Sequence, residues 1–318
     1  MASLWGFGGL SLKDFFRRVW SEIQEDDVFG RAAQLAYYFL LALFPLLFFL
    51  TSIIGVVIGS GTGLRHSLFN YLSKILPGSA FKIVDTTMYE VSAASSGGKI
   101  TFGILAALWA ASNGMGAITE ALNSAYDVTE SRPWWKQRIV AIKLTVILSI
   151  LIIAALFLLL YGGRLADGLA MHFGFSNAFS LTWKVIQWPL VLVFILLAFA
   201  IIYYEAADIR EQKWKWLTPG SAIGVIIWLL VSFGFKIYLH FFDSYSKTYG
   251  SLGAVIILML WLYFTGAAVL IGGEVNSVIE DAAAEAGDPE AKEKGEKAPD
   301  DYGHGTHDRD NHLLPKAS

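Results

Sequence analysis

The sequence predicts an all-α, polytopic membrane protein that crosses the bilayer six times. It contains six long apolar segments, and 55% of its 318 residues are hydrophobic while only 16% are charged. Ordinary soluble domains carry about 25% charged residues. A helix rises about 1.5 Å per residue, so a segment of about 20 residues covers the roughly 30 Å hydrocarbon core of a bilayer. The segments lie near residues 34–59, 100–122, 139–161, 185–204, 217–242 and 252–275.

The chain divides into three predicted regions. Residues 1–30 form an N-terminal amphipathic region, residues 31–280 the six-helix transmembrane domain, and residues 281–318 a disordered cytosolic tail rich in acidic residues. The connection over residues 60–99 is too long to lack structure in a compact protein, and its apolar spacing predicts an external helical hairpin. The histidines of the tail lack a rigid frame, so we expect a solvated tail there rather than a metal site.

An amphipathic helix is predicted within the N-terminal region, over residues 11–25. Its apolar stripe consists of Leu12, Phe15, Phe16, Val19, Trp20 and Ile23. Lys13, Arg17 and Arg18 lie off this stripe. The pattern has two interpretations, because such a helix either anchors at the membrane interface or packs beneath the bundle.

The distribution of lysine and arginine predicts that both termini are cytosolic. With six spans and an internal N-terminus, 15 Lys and Arg residues fall in internal segments and 7 in external ones. This bias follows the positive-inside rule. The 11 Trp and 13 Tyr residues fit aromatic anchoring at two interfaces. The sequence has no Cys, which excludes disulfides and thiolate chemistry.

The second predicted span carries the most informative polar residues. Its polar and small positions recur at three- and four-residue steps and share one helix face: Trp109, Asn113, Gly116, Glu120, Asn123 and Asp127. An ionised side chain at the bilayer centre costs about 2.5–3.5 kcal/mol, so such a face requires an explanation. It can line a hydrated cavity, or it can form a helix contact built from small residues and hydrogen bonds.

Charged residues also gather at the cytosolic ends of the predicted spans. Lys143 lies about one turn into the third span, Glu205 ends the fourth, and Glu274 ends the sixth. We expect Lys143 to compensate either Glu120 or Glu205 in a charged vestibule. The alternative is that each side chain extends separately to the headgroup layer.

Two further groups of polar residues are candidates. Lys236 and His240 share one face of the fifth span, which suits either a proton or anion relay or a helix end that reaches the outer headgroups. Pro45 allows a kink in the first span, and Tyr37 and Tyr38 lie a turn or two away from it.

Common enzyme motifs are missing from the sequence. There is no GxxxxGK[ST] loop, no HExxH and no Gly-x-Ser-x-Gly elbow. Basic residues are too sparse for a nucleic-acid footprint. We therefore expect no enzyme activity, no ATP hydrolysis and no cofactor.

Three stretches carry a family resemblance: RAAQLAYYFLLALFPLLFFL (Arg31 to Leu50), LWAASNGMGAITEALNSAYDVTESRPWW (Leu108 to Trp135) and DSYSKTYGSLGAVIILMLWLYFTGAAVLIGGEVN (Asp243 to Asn276). They resemble the YihY/BrkB family of bacterial inner-membrane proteins, once labelled ribonuclease BN. The runs from Ala36 to Pro45 and from Tyr249 to Ala254 are the most specific.

This resemblance implies a six-span, all-helical protein of the bacterial inner membrane. The family is loosely linked to cell-envelope integrity, serum resistance and export, including movement of lipids, and its ribonuclease label looks like a misassignment. It offers no catalytic residues to carry over. The matching motif positions are candidates for a shared polar face: Asn113, Glu120, Asn123, Tyr245, Tyr249 and Glu274.

The leading functional expectation is a transporter or exporter that moves a lipid or an amphipathic, polar solute without hydrolysing ATP. A non-catalytic scaffold of the cell envelope is the alternative, and a membrane-bound ribonuclease ranks third. Expected partners are membrane lipids and such a substrate, without nucleic acid, and a homo-oligomer is compatible with the sequence. The candidate substrate-binding or pathway residues are Asn113, Gly116, Glu120, Asn123, Lys143, Tyr37, Tyr38, Glu205, Lys236, His240, Tyr245, Tyr249 and Glu274, with no catalytic or metal-binding residue expected.

Overall fold

Seven α-helices and one short 3₁₀ helix contain most of the residues that the computed structural model describes. These residues are 4–58, 70, 73, 86, 97–173, 177–209, 217–241, 243–288 and 291. The 3₁₀ helix Leu4–Gly9 is followed by α1 (Leu12–Glu25), α2 (Val28–Ile58), α3 (Gly97–Ala125), α4 (Trp134–Phe173), α5 (Asn177–Glu205), α6 (Pro219–Phe241) and α7 (Asp243–Glu285). The described residues contain no strand, so the predicted all-α class is confirmed for them.

Each of the six predicted spans lies largely within one of the helices α2 to α7. Four of these helices contain segments long and apolar enough to cross a membrane: Trp134–Leu159, Val185–Glu205, Pro219–Tyr238 and Val255–Glu285. Helix α2 contributes a shorter apolar segment, Val28–Leu43. The helices therefore support the membrane class, while six crossings and two cytosolic termini stay predictions. The predicted hairpin at residues 60–99 lies largely outside the described residues.

Helix α7 continues through Glu285, beyond residue 281, where the sequence predicts that the tail begins. The reason is packing, because Ala282 and Ala283 are buried at this end of the helix. Gly8 of the 3₁₀ helix lies directly against them, since a Cβ there would be 2.7 Å from the Ala282 Cβ. Gly8 also has a positive φ of 62°, which favours glycine. Apart from Ala291, the tail after residue 288 lies outside the described residues.

The helix contacts run in a closed circuit through the described part of the chain. Each helix from α2 to α6 packs against the next, and α7 packs back against α2. Helix α3 also contacts α7 across this circuit. Helices α2 and α4 flank α3 but do not pack extensively against each other, so no described helix covers the face of α3 between them.

Helices α6 and α7 approach closely enough for their backbones to touch. A Cβ on Gly220 would lie 2.0 Å from the carbonyl oxygen of Gly272, and a Cβ on Gly224 would lie 3.0 Å from that of Ala268. These small residues are spaced four apart on both helices, an arrangement that lets transmembrane helices meet at short distance. The close crossing of α6 and α7 therefore depends on small residues at these positions.

Helix α1 has two apolar faces with different surroundings. Its buried face comprises Phe15, Val19 and Ile23, and its exposed face comprises Leu12, Phe16 and Trp20. The helix begins after Ser11, whose hydroxyl oxygen accepts a hydrogen bond from the backbone N–H of Asp14. An ion pair of 2.8 Å between Arg18 and Glu285 connects α1 to the end of α7. One face thus packs under the bundle, and the other is available to an interface.

We predict that Gly220→Ala destabilises the protein and that Gly234→Ala does not. At Gly220 the new methyl group would collide with backbone, at a cost of about 1–3 kcal/mol in the free energy of unfolding. At Gly234, on the same helix, a Cβ meets no atom within 4 Å, and the better helix former should add up to about 1 kcal/mol. Unfolding by sodium dodecyl sulfate in mixed micelles measures both values. Equal midpoints for the two variants would contradict the close crossing.

Candidate functional site

The polar stripe predicted on the second span lies on an open face of α3. Asn113 and Glu120 are exposed, and Trp109 is 51% exposed. A Cβ on Gly116 would meet no atom within 4 Å. The opposite face of the same helix is buried, at Ala107, Ala111, Ile118 and Leu122. The stripe from Trp109 to Glu120 is therefore not closed by another helix in the described part of the structure.

Arg138 of α4 lies across the middle of this stripe. Its Nη1 donates a hydrogen bond of 2.7 Å to Oδ1 of Asn113, and its Nη2 donates to the backbone carbonyl of Trp109. The guanidinium carbon lies 3.9 Å from the centroid of the Trp109 ring, which is a cation–π distance. Sequence reasoning missed this arrangement. On the sequence alone, Arg138 counts only toward the total of 15 internal Lys and Arg residues, although Trp109 and Asn113, four residues apart, already offer two acceptors and a ring on one face.

Lys143 pairs with Glu205, one of the two partners predicted for it. The Nζ and Oε2 atoms are 2.5 Å apart, and the contact joins α4 to the end of α5. The other predicted partner, Glu120, is exposed and takes part in no ion pair among the described residues. The two charges that the sequence places at similar depth on α4 and α5 therefore do meet.

Asn123, which follows Glu120 in the predicted stripe, is buried, unlike the exposed Asn113 and Glu120. Its amide nitrogen donates a hydrogen bond of 2.8 Å to Glu130, and its side-chain oxygen accepts one of 2.8 Å from the backbone N–H of Asp208. These contacts join the end of α3 to the connection that follows it and to the segment after α5. Asn123 thus lies outside the open part of the stripe.

Arg132 lies between two carboxylates in the connection between α3 and α4. Its Nε and Nη2 donate to the two oxygens of Glu130 at 2.6 and 2.7 Å, and Nε lies 3.5 Å from Asp208. The backbone N–H and hydroxyl of Ser131 donate to Asp208 at 2.8 and 2.5 Å. Partial burial lowers the pKa of Arg132, but its contacts with Glu130 and Asp208 raise that pKa by more, so it lies above the ordinary value. We call Asn123, Glu130, Arg132 and Asp208 the connector cluster.

Glu274 is buried where α3, α5 and α7 meet. It is 1% exposed, and a Cβ on the preceding Gly273 would contact Leu122 of α3 and lie 4.0 Å from Tyr203 of α5. Tyr126, at the end of α3, is also buried, and burial raises its pKa above the ordinary value, with the charge of Glu274 contributing. Glu274 therefore belongs to the packed side of α3 rather than to the open stripe.

Tyr37 and Tyr38 of α2 are exposed, at 54% and 41%. Their rings are 5.6 Å apart with an edge-to-face inclination. The neighbouring Phe39 lies 3.5 Å from the Cβ position of Gly114. Both tyrosines thus lie near the height of the middle of the stripe, on a helix that flanks it.

The remaining candidates lie near the end of α6 and the start of α7. Lys236 is exposed on α6. His240, Tyr245 and Tyr249 are in helical segments, but their side chains lie outside the described part, so the proposed relay stays a prediction. The described residues include no group of three or more His, Asp or Glu side chains that could hold a metal ion.

The apolar helices and the circuit that they form define a multi-pass helical membrane protein. A family model described as virulence factor BrkB matches residues 19–297, and the chain belongs to this family. The resemblance derived from the sequence motifs is thereby confirmed.

Relatives of the chain include membrane proteins from several bacteria. It is 34% identical over 268 residues to the ribonuclease-like protein YfkH of Bacillus subtilis (strain 168), which covers 83% of this chain and 94% of that protein. It is 28% identical over 270 residues to a UPF0761 membrane protein of Stenotrophomonas maltophilia (strain K279a), covering 83% of this chain. The match spans only 60% of that longer relative. No solved structure matches the chain.

We predict that Asp208→Ala lowers the free energy of unfolding by about 1–3 kcal/mol, because Arg132 and two donors of Ser131 lose a charged acceptor. The matched control is Asp14→Ala, which removes an exposed ion pair of 3.8 Å with Arg17 and should cost about 0–1 kcal/mol. Denaturant unfolding in micelles measures both values. A loss at position 208 no larger than at position 14 would show that the connector cluster contributes little stability.

We also predict that Lys143→Glu and Glu205→Lys each destabilise the protein and that combining them restores stability. Each single reversal places like charges together, and the double reversal rebuilds the pair, with a coupling of about 0.5–3 kcal/mol. Lys136→Glu with Glu205→Lys is the control, because Lys136 lies seven residues earlier on α4. A double-mutant cycle of unfolding free energies measures the coupling. If Lys136→Glu and Lys143→Glu rescue Glu205→Lys equally, residues 143 and 205 interact only through the overall electrostatic field of the protein and not as a direct pair.

Proposed function

We propose that this protein is a multi-pass transporter or exporter of the bacterial inner membrane. It would move a lipid or an amphipathic, polar solute linked to the cell envelope, without hydrolysing ATP and without acting as an enzyme. Six crossings with both termini in the cytosol belong to this proposal. The observation that carries it is the open polar stripe on α3.

Physical chemistry connects that stripe to transport. Polar side chains inside a membrane are costly unless they face one another or a hydrated route. Asn113 and Glu120 are exposed rather than packed, and Gly116 between them leaves room beside the helix. A stripe of this kind offers hydrogen-bonding partners to the headgroup of a lipid, while the acyl chain of the lipid stays among apolar side chains. A scaffold would need no such opening.

The packed side of the bundle supports the same proposal by contrast. Helices α6 and α7 meet through backbone contacts at Gly220 and Gly272, and Glu274 is buried. The packed side of the bundle is thus closed, in contrast to the open face of α3. The Lys143–Glu205 pair neutralises two charges near the end of the proposed route.

The second candidate is a scaffold or assembly factor of the envelope. It is favoured by the exposed apolar face of α1, where Leu12, Phe16 and Trp20 are each at least 60% exposed. A scaffold would use this face to hold another protein, whereas a transporter would rest it on lipid. Replacing all three residues by Ser should abolish co-purification of a partner in the first case and leave transport intact in the second.

The printed name of the Bacillus relative raises a ribonuclease as a third candidate. Metal-dependent RNA hydrolysis uses converging carboxylates to hold divalent ions. RNA cleavage that requires a divalent metal and disappears in Glu120→Gln would favour this candidate over ours. An RNase assay on purified protein with and without chelator makes the comparison.

We expect Gly116→Leu to block transport and Gly234→Leu to preserve it. Both glycines have open surroundings, so neither substitution should disturb folding, but only the first fills the stripe. The assay follows fluorescent lipid analogues with neutral and charged headgroups across proteoliposome membranes under an ion gradient. Gly116→Leu should slow movement by about tenfold or more, because a leucine side chain covers the polar stripe between Asn113 and Glu120 with apolar surface. Equal rates for both variants, or no protein-dependent movement of any analogue, would remove the basis of the proposal.

A further inference from the structure

Arg138 differs from two neighbouring cations, Arg132 and Lys143, in how its charge is compensated. Lys143 pairs with Glu205, and Arg132 pairs with Glu130 and Asp208. Arg138 has only neutral partners, which are the Asn113 amide, the Trp109 carbonyl and the Trp109 ring. Within the described part of the chain, no carboxylate lies within ion-pair distance of its guanidinium. The positive charge at the middle of the stripe is therefore not neutralised by the described protein.

The position of Arg138 also requires an explanation. The residue lies one turn into α4, from which a long side chain could extend to the headgroup layer. Instead, its guanidinium reaches Asn113, which precedes Asn123 at the end of α3 by ten residues, or about 15 Å of helix. Two hydrogen bonds and a ring face hold it there. The side chain is thus held along α3, about 15 Å of helix away from Asn123.

The guanidinium retains donors for a ligand. It carries five N–H groups in a planar fork, and Asn113 and Trp109 each accept one. Oxygen pairs of a phosphate or carboxylate match this fork, which is why arginine binds such groups in two-pronged fashion. Gly116, next along the stripe, leaves space beside the helix. The Nε atom of Arg138 is buried, so an anionic group approaching from the open face would meet the remaining N–H groups of Nη1 and Nη2.

The surface around Arg138 changes from apolar to polar along α3. Leu105, at 58% exposed, and Trp109, at 51%, lie on the side toward the start of the helix. Asn113, Gly116 and Glu120 lie on the side toward its end. Such an order suits a molecule with an anionic head and an apolar tail, and a free inorganic anion would use only half of it.

We propose that Arg138, positioned by Asn113 and Trp109, binds the phosphate or carboxylate headgroup of an anionic amphiphile whose tail lies on Trp109 and Leu105. This deepens the proposed transport function by naming its substrate class. The site itself is a binding site that exists whether or not the bound molecule is carried across the membrane.

The experiment measures binding to the full-length protein in a non-ionic detergent by isothermal titration calorimetry. The probes are dihexanoyl phosphatidic acid, dihexanoyl phosphatidylcholine and inorganic phosphate. The first should bind at least about tenfold more tightly than the others, because only it combines a net negative headgroup with an apolar tail. Inorganic phosphate binding as tightly as the lipid would overturn the amphiphile assignment.

Two variants remove the charge in different ways. Arg138→Gln deletes it, and Asn113→Asp neutralises it by placing a carboxylate where the amide oxygen lies 2.7 Å from Nη1. Both should weaken binding of the anionic lipid by about tenfold or more. Asn113→Asp keeps the shape of the site and adds an ion pair, so it tests the proposal even if Arg138→Gln fails to fold. The control is Lys136→Gln, which removes an exposed cation two residues away and should bind like the unaltered protein.

The outcomes separate this inference from the transport proposal. Unchanged affinity in Asn113→Asp, or an equal loss in Lys136→Gln, would overturn the role of Arg138. Transport that remains sensitive to Gly116→Leu but proceeds at the full rate in Asn113→Asp would leave the transporter intact and remove the anionic substrate class.

Discussion

The short connection between α3 and α4 depends on one guanidinium held by two carboxylates. Arg132 bonds both oxygens of Glu130 and approaches Asp208. Asn123, at the end of α3, donates to the Glu130 carboxylate and accepts from the backbone N–H of Asp208. Because three helices end at this cluster, it sets where α4 starts relative to α3 and α5. Arg138 and Lys143 lie 4 and 9 residues after Trp134, where α4 begins. Their contacts with the stripe and with Glu205 follow from this starting point.

The two sides of α3 serve different purposes in the same bundle. Its packed side contacts α2 and α7 and faces the interior where Glu274 and Tyr126 are buried. Its open side presents Asn113, Gly116 and Glu120. In lipid there is little hydrophobic drive between helices, so close packing through small residues must supply the cohesion. The contact between Gly220 and Gly272 supplies it on the far side of the circuit, which allows one face of α3 to stay unpaired.

Much of this architecture could be predicted from hydropathy and periodicity. The six apolar segments lie in six helices because a buried or lipid-facing helix must be apolar over its length. The stripe on α3 follows from the spacing of its residues, and depth along the helices brings Lys143 and Glu205 to one level. Helical spacing alone, however, could not show that Asn123 is buried. Asn123 follows Glu120 by three residues, so its side chain is rotated by about 60° around the helix axis relative to that of Glu120. Whether this side of α3 is covered depends on the neighbouring segments.

Two features could not be predicted without the tertiary structure. The inward direction of Arg138 depends on how α4 lies against Trp109 and Asn113, and a lone arginine near a helix start gives no sign of it. The extension of α7 past residue 281 depends on the backbone at Gly8, which covers alanines whose composition resembles that of a solvated tail. In both cases a distant segment changes the meaning of a local pattern.

The fastening of α1 to α7 has a mechanical consequence. Arg18 is paired with Glu285, and Gly8 rests on Ala282, so α1 and the 3₁₀ helix before it are attached to the end of α7. A tilt of α7 about its crossing with α6 would therefore displace α1 as well. The exposed face of Leu12, Phe16 and Trp20 would then travel with it, converting a small rotation inside the bundle into a larger displacement at its rim.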